Sequence, residues 1–512
     1  VNLGNLIDIT VAKYGQRMAL VSGETRRTYA ELDDRAGRLA GALLGQGLKP
    51  GDRVALLSHN TDYFVESYLG LTRVGLVAVP VNFRLVGPEI VYILQNSQAK
   101  AVVYGPEFGE VMAGIRESLP EVRLFLCPGS TDRNLALDYE AFLQSGVYAP
   151  SSSEIGEGDP CQIIYTSGTT GKPKGAVLTH RNIIWNAFNI IHGRDDDAGQ
   201  VAIIVGPLHH SAPLNHHLTV QLALGGTCIL AVKFEPQMVL ECIEREKVTT
   251  ISGSPAMYNL LLRHSGADKY DTSSVTKCTV GADRLSVATK KEIMKFFPNI
   301  DGLYDIYGCT EVSPVATILK GRDCLRKDGS VGRAVAFSEV RVFDENDKEA
   351  PVGEVGEIVC RGPNVMPRYH DDPEATAKAL RNGWLHTGDL AYMDQEGFFF
   401  FVDRKKDMIV SGGENIYPRE VEEVLATHPD ILEAAMVAMP DPTWGESARV
   451  FVVTMPGKKL SSQEVIEFCK QNLASYKKPK RVDFVDELPR NASGKVLKRQ
   501  LRDVPLQGGE GG

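Results

Sequence analysis

The stretch 165-YTSGTTGKPKG-175 sets Thr166, Ser167, Thr169 and Thr170 among three glycines and two lysines. The apolar residues 163–165 before it read as a strand, so 166–175 form a loop leaving a strand end, where open α/β sheets bind ligands. Glycine frees backbone N–H groups to converge on an anion, and the hydroxyls and lysines add donors around them, so the loop fits a phosphate chain. It is not the Walker pattern GxxxxGK[ST]: Thr166 stands where the first Gly belongs and Pro173 where the magnesium-binding hydroxyl belongs. A plain surface turn is the alternative, but such turns seldom gather these residue types.

Composition sets the frame around the loop. A chain of 512 residues exceeds what one core usually serves, so at least two domains are expected, with 43% apolar residues to build them. A formal charge of −9 argues against a general nucleic-acid binder or a protein held on anionic lipid by charge, and a small-molecule partner is expected. Nine cysteines without a CxxC pair or zinc-like spacing are the usage of a reducing compartment, so a cytoplasmic protein is expected. The uncharged run 211–232 is broken by Asn215, His216, His217 and Gly225-Gly226, and no stretch supplies the ~20 predominantly apolar residues of a membrane span. No signal peptide is read at the N-terminus.

Along the chain, Thr28 and Glu31 have capping-box spacing, and Leu32, Ala36, Leu39, Ala40 and Leu43 follow on one helical face. The apolar runs 54–57, 77–79 and 101–104, separated by helix-length segments, have the rhythm of βαβ units around a buried, largely parallel sheet. The pattern changes after the apolar strand 398–402, where 403-DRKKD-407 reads as a solvated loop or a linker. Beyond it, a helix over 419–427, strands near 434–439 and 449–455, a helix capped by Ser461 and Glu464, and a strand near 482–485 make a small α+β domain.

The loop 165–175 resembles the phosphate loop of the adenylate-forming superfamily: acyl- and aryl-CoA synthetases, firefly luciferase and the adenylation domains of peptide synthetases. Other signatures recur in family order: 307-YGCTE-311, 387-TGD-389, 403-DRKKD-407, 411-SGGENIYPREVE-422 and 489-PRNASGK-495. The resemblance covers nearly the whole chain. It implies an α/β fold, with a large N-terminal domain of mixed α/β sheets over 1–402 and a small mobile α+β C-terminal domain over 403–512, hinged near Asp403. It also implies ATP, Mg2+ and coenzyme A beside a carboxylic acid substrate.

Residue by residue, the resemblance assigns Thr166, Ser167, Gly168, Thr169, Thr170 and Lys174 to the ATP phosphates, with Lys172 at a variable position. Gly281, Ala282, Asp305 and Tyr307 would meet the nucleotide, Tyr307 by stacking on adenine. Thr310 would face the α-phosphate and Glu311 would hold the metal, an oxygen ligand for a hard cation. Asp389 would accept both ribose hydroxyls, with Arg404 beside it. Lys495 would bridge carboxylate and α-phosphate, a point charge on a long stem able to enter and withdraw. Ser411, Gly412 and Gly413 would face the pantetheine arm of coenzyme A after the small domain turns. Residues 477–502 hold nine Lys or Arg against three acids, and Lys477, Lys478, Lys480 and Arg481 would either meet coenzyme A phosphates or form a solvated face.

Two stretches depart from the family pattern. In 209-HHSAPLNHH-217, His210 matches the family histidine near the acyl group, grouped here with the catalytic residues, while His209 replaces the common aromatic. No acidic or thiolate ligand lies among these histidines, so pocket lining or surface is expected rather than a metal site. The charged pair Asp283-Arg284 follows Gly281-Ala282 where relatives carry small or apolar residues. The acyl-pocket candidates are His210, Leu214, Tyr304, Cys309, Ser313 and Pro314, which do not separate a fatty from an aryl acid. The expected activity is an acid:CoA ligase. A stand-alone enzyme loading a carrier-protein phosphopantetheine and a non-catalytic nucleotide-binding regulator are the rivals, and a homodimer is the assembly expected if the chain self-associates.

Overall fold

Thr28 and Glu31 form the reciprocal pair their spacing predicts: Glu31 N–H donates to Thr28 Oγ1 at 3.3 Å and Thr28 N–H to Glu31 Oε2 at 2.8 Å. They open helix Tyr29–Gly45, whose Leu32, Ala36, Leu39, Ala40 and Leu43 are buried. The computed structural model describes residues 1–132, 134–166, 172–281, 285–412, 414–490 and 496–505. Ser167, Gly168, Thr169, Thr170, Ala282, Gly413 and Lys495 lie outside the described residues. The chain folds as two compact units, the first made of Val1–Arg341, Val359–Thr387 and Glu396–Phe399, the second of Val342–Ile358, Gly388–Gln395 and Phe400–Gly512.

The first unit holds an eight-stranded sheet whose core is the run of apolar segments seen in sequence. Strands Arg53–Leu57, Val77–Pro80 and Ala101–Tyr104 pair in parallel. Their side chains are nearly all buried, as expected for strands covered on both faces. Strand Pro160–Thr166 joins them in parallel and also pairs antiparallel with Lys174–Thr179. Arg368–Tyr369 adds an edge strand to Lys174–Thr179. A second run of strands, Met18–Ser22, Thr227–Leu230, Val201–Ile204, Thr250–Gly253, Lys277–Gly281 and Leu303–Tyr307, is parallel throughout and then reverses into Thr317–Leu319.

The second unit contains a sheet of Glu414–Ile416, Ile409–Ser411, Gly445–Thr454 and Ile431–Asp441, with Arg481–Phe484 parallel to Gly445–Thr454. Alternation along Ile431–Asp441 sends Met436 to one core, shared with Val421 and Leu425 of helix Pro418–Leu425 and Val465 and Cys469 of helix Ser462–Asn472. Ala435 and Val437 go to the opposite core with Phe451, Leu488 and Leu501. All nine cysteines are thiols, and eight of them are buried. No helix among the described residues is long and apolar enough to cross a membrane.

The run 403–407 is not simply a solvated loop: Asp403 and Asp407 are buried, and Asp403 and Arg404 complete strand Phe399–Arg404. Burial of the Asp403 carboxylate is compensated by donors, Arg404 N–H to Oδ1 at 2.7 Å and Arg419 N–H, in the first turn of helix Pro418–Leu425, to Oδ2 at 2.9 Å. Arg502 closes the other end of the run, its Nη2 donating to Asp407 Oδ1 at 2.7 Å.

Candidate active site

The segment 307–316 returns strand Leu303–Tyr307 to Thr317–Leu319 through an irregular turn, and irregular turns leave backbone groups to be satisfied by side chains. Asparagines do so here. Helix His180–Arg194 carries Asn182, Asn186 and Asn189 on its buried side. Asn186 Oδ1 accepts the Val315 N–H at 3.2 Å, while Asn364 Nδ2 donates to the Val312 and Val315 carbonyls at 3.0 and 2.9 Å. Gly308 is required at the turn's start, because a Cβ there would overlap the Pro314 carbonyl oxygen. The result is a fixed short 3-10 turn, Thr310–Val312, that presents Thr310 and Glu311.

Glu311 is gripped at both ends. Met366 N–H donates to its carbonyl at 2.9 Å, and the Tyr369 hydroxyl donates to Oε1 at 2.7 Å. Burial and the neighbouring Glu311 carboxylate push the Tyr369 phenol well above its usual range, so it stays a donor. Lys174 Nζ lies 5.5 Å from the Tyr369 ring centroid, whereas Lys172 is exposed, its ammonium 5.6 Å from the Tyr92 ring. Thr166 Oγ1 lies 3.5 Å from the Lys174 carbonyl oxygen. Thr310 Oγ1 meets Ser211 Oγ at 3.1 Å, joining the histidine-rich segment to the turn. Tyr369 engages one Glu311 oxygen, and the other has no partner among the described residues, so the carboxylate fits a Mg2+ ion, which takes oxygen ligands.

The histidine-rich segment is interior rather than surface. His209 is buried, its ring 4.2 Å from His210 and 5.0 Å from Phe83. Burial first, and nearby cationic groups after it, lowers His209 to about 2 and His210 to about 4, so both rings are neutral at pH 7. The expectation of pocket lining or surface does not hold for His216: it is fully buried on the π-helical turn Ala212–Leu218, its Nε2 3.2 Å from Arg194 Nη1. Among the acyl-pocket candidates, Leu214 and Ser313 are fully buried, Pro314 is buried, and Tyr304 packs with Ala187, Ile190 and Ile318. Cys309 is half-buried. Gly281 and Tyr307 end the neighbouring parallel strands Lys277–Gly281 and Leu303–Tyr307, and Asp305 lies within the second, opposite Val280.

In the second unit, Asp389 is buried beside Arg404, whose Nε lies 3.4 Å from Asp389 Oδ1. The Gly388 N–H donates to Glu357 Oε1 at 3.0 Å, fixing the turn that carries Asp389. Ser411 ends strand Ile409–Ser411, and Gly412 follows with φ of 61°, the left-handed region that favours glycine, packed against Trp444. Three of the four basic residues named for coenzyme A phosphates are already paired: Lys477 with Glu420, Lys480 with Asp441 and Arg481 with Asp483. Lys478 bonds only Ser475 and has no carboxylate partner among the described residues.

The family model described as AMP-binding enzyme matches residues 7–370, and that of the AMP-binding enzyme C-terminal domain matches residues 420–495. The chain belongs to the AMP-binding enzyme family. This AMP-binding enzyme is 40% identical over 486 residues to a feruloyl-CoA synthase of an Amycolatopsis species, covering 94% of this chain and 95% of that one. It is 36% identical over 478 residues to an indoleacetate–CoA ligase of Aromatoleum aromaticum, covering 93% of each. Among solved structures it is similar to o-succinylbenzoate CoA synthetase of Bacillus subtilis in complex with its acyl-adenylate intermediate. The TM-score is 0.86 at 29% identity, over 98% of each chain. The AMP-binding enzyme fold, a large unit of mixed α/β sheets and a C-terminal α+β part, is therefore the one the sequence resemblance implies.

Four side chains of this AMP-binding enzyme escaped the sequence reading. Tyr369, Ser211, Asn186 and Asn364 all touch the 310–315 turn, yet none lies in a quoted motif of that turn. The asparagines left one trace, their spacing at 182, 186 and 189 along a single helix face.

Proposed function

We propose that this chain is an ATP-dependent carboxylic acid:coenzyme A ligase acting on a fatty or aryl acid through an acyl-adenylate. One observation carries the reading: Tyr369 joins Lys174 to Glu311, and Thr310, next to Glu311 in the chain, meets Ser211, so a cation, an oxygen ligand and hydroxyl donors form one cluster. Such a cluster suits a polyphosphate with its metal, and the matched family and the names of its relatives support the same chemistry.

In the first step a carboxylate oxygen of the acid attacks the α-phosphorus of ATP and pyrophosphate leaves. The barrier lies in bringing two anions together, so positioned positive charge and hydrogen-bond donors are what the protein must supply. Lys174 and the 166–170 hydroxyls hold the β- and γ-phosphates, the Thr310 hydroxyl orients the α-phosphate, and Asp389 with Arg404 takes the ribose. Glu311 would hold Mg2+, which when bound would supply positive charge against the phosphates. Lys495 bridges the two reacting groups. In the second step the coenzyme A thiolate attacks the acyl carbon and AMP leaves, with Ser411, Gly412 and Gly413 beside the pantetheine arm after the 403–512 domain turns about Asp403. The retained thiols are consistent with a cytoplasmic enzyme.

Mass spectrometry of the products from Mg-ATP, coenzyme A and a panel of short, medium, long and aromatic acids tests this reading. Acyl-CoA together with AMP is the expected result, and the acid consumed fixes the substrate class. Acyl-adenylate without thioester would instead favour a carrier-protein acceptor. ATP binding without turnover of any acid would overturn the enzyme assignment.

A further inference from the structure

We propose that Tyr369 is the positioning residue that sets Glu311 and Lys174 apart and in register for a metal-bound nucleotide, an inference that rests on the ATP-binding reading above. Strand Arg368–Tyr369 pairs antiparallel with Lys174–Thr179, Tyr369 lying opposite Ala176, and His370 N–H donates to the Gly175 carbonyl at 2.7 Å. The tyrosine backbone is thus fixed to the strand that begins with Lys174. Its own N–H donates to Thr376 Oγ1 at 3.0 Å, in helix Pro373–Ala379, which pins the strand from its other side. From this anchored position the hydroxyl reaches Glu311 Oε1 at 2.7 Å, across 58 residues of sequence.

The two contacts of the ring system do different work. A carboxylate is free to spin about its last torsion, and one charge-assisted hydrogen bond at Oε1 fixes which oxygen faces away. The ring face attracts the Lys174 ammonium, which lies within the distance at which cation–π attraction acts. Lys174 and Glu311 form no ion pair with each other, although both approach the same tyrosine. A direct pair would have to be broken each time a metal and a phosphate chain arrived. Holding one charge over the ring and the other at the hydroxyl of one aromatic side chain keeps them separately available, the lysine for phosphate and the carboxylate for the cation.

Calorimetric titration of the full chain with ATP, with and without Mg2+, separates this role from simple packing. Tyr369→Phe keeps the ring and loses the hydroxyl, so Mg-ATP should bind about tenfold more weakly, the scale of one charge-assisted hydrogen bond, while metal-free ATP binds as in the wild type. Tyr369→Leu loses the ring as well and should weaken both titrations. In a Glu311→Ala background, adding Tyr369→Phe should change nothing further, and this pair gives an independent result should Tyr369→Phe be poorly folded. Equal loss with and without metal, undiminished Mg-ATP binding by Tyr369→Phe, or a further loss in the Glu311→Ala background would each overturn the inference. A wild-type chain that binds no ATP at all would instead overturn the functional reading on which it stands.

Discussion

His209 illustrates how one side chain sets a pH limit. It is buried, neither ring nitrogen has a hydrogen-bond partner among the described residues, and its folded pKa of about 2 lies far below the ordinary histidine value. Below an unfolded pKa of about 6.5 the unfolded chain takes up a proton that the folded chain refuses. Its contribution to stability is therefore complete above that pH and is lost as pH falls toward the folded value. At pH 5 the loss from this residue is about 2 kcal/mol. Replacing His209 by Phe should keep stability at pH 7.5 and flatten the acid limb by that amount in guanidinium denaturation curves. An unchanged pH dependence would show that the ring is hydrated or partnered. At this scale the sequence displayed motif residues such as Thr310 and Glu311, because short spacing keeps them side by side. It hid Tyr369 because the contact closes over 58 residues, and it hid the burial of Asp403 because the capping donor lies 16 residues further on.

At the scale of elements, the 307–316 turn depends on side chains that are not its own. Asn364→Ala removes two hydrogen bonds to buried carbonyls, and leaving such groups unsatisfied costs about 2–5 kcal/mol in total. Thr28→Ala, which removes one exposed helix cap, should cost only about 1 kcal/mol and serves as the comparison in the same denaturation experiment. Gly308→Ala should be worse for activity than for stability, since the added methyl displaces the backbone that aims Thr310 and Glu311. ATP–pyrophosphate exchange beside a thermal melt would read the two effects separately. Regular elements were legible because burial imposes a period: the helix opened by Thr28 and Glu31 and the strands at Arg53–Leu57, Val77–Pro80 and Ala101–Tyr104 follow their apolar patterns. The turn was not, because asparagine side chains on a distant helix have no pattern that names the carbonyls they serve.

For the whole molecule, two half-reactions on one chain predict separable losses. Lys495→Ala should nearly abolish adenylate formation yet still pass preformed adenylate to coenzyme A, as followed by thioester release. Equal loss in both steps would refute that division of labour. The second unit gathers Val342–Ile358 and Gly388–Gln395 with Phe400–Gly512, an interleaving that no pattern along the sequence displays, since membership of a unit depends on spatial neighbours rather than chain order. The burial of eight cysteines has a consequence of its own. An enzyme that holds an activated acyl group next to a thiol acceptor risks acylating itself, and oxidised coenzyme A would trap any accessible cysteine as a mixed disulfide. Packing the thiols into cores, where burial pushes Cys127 and Cys469 up to about 11, keeps them from forming the thiolate that either side reaction requires. Native alkylation counted by mass should then label Cys309 alone at an appreciable rate, with the other eight reacting only as the protein unfolds, so that its own fold shields the enzyme from the electrophile it makes.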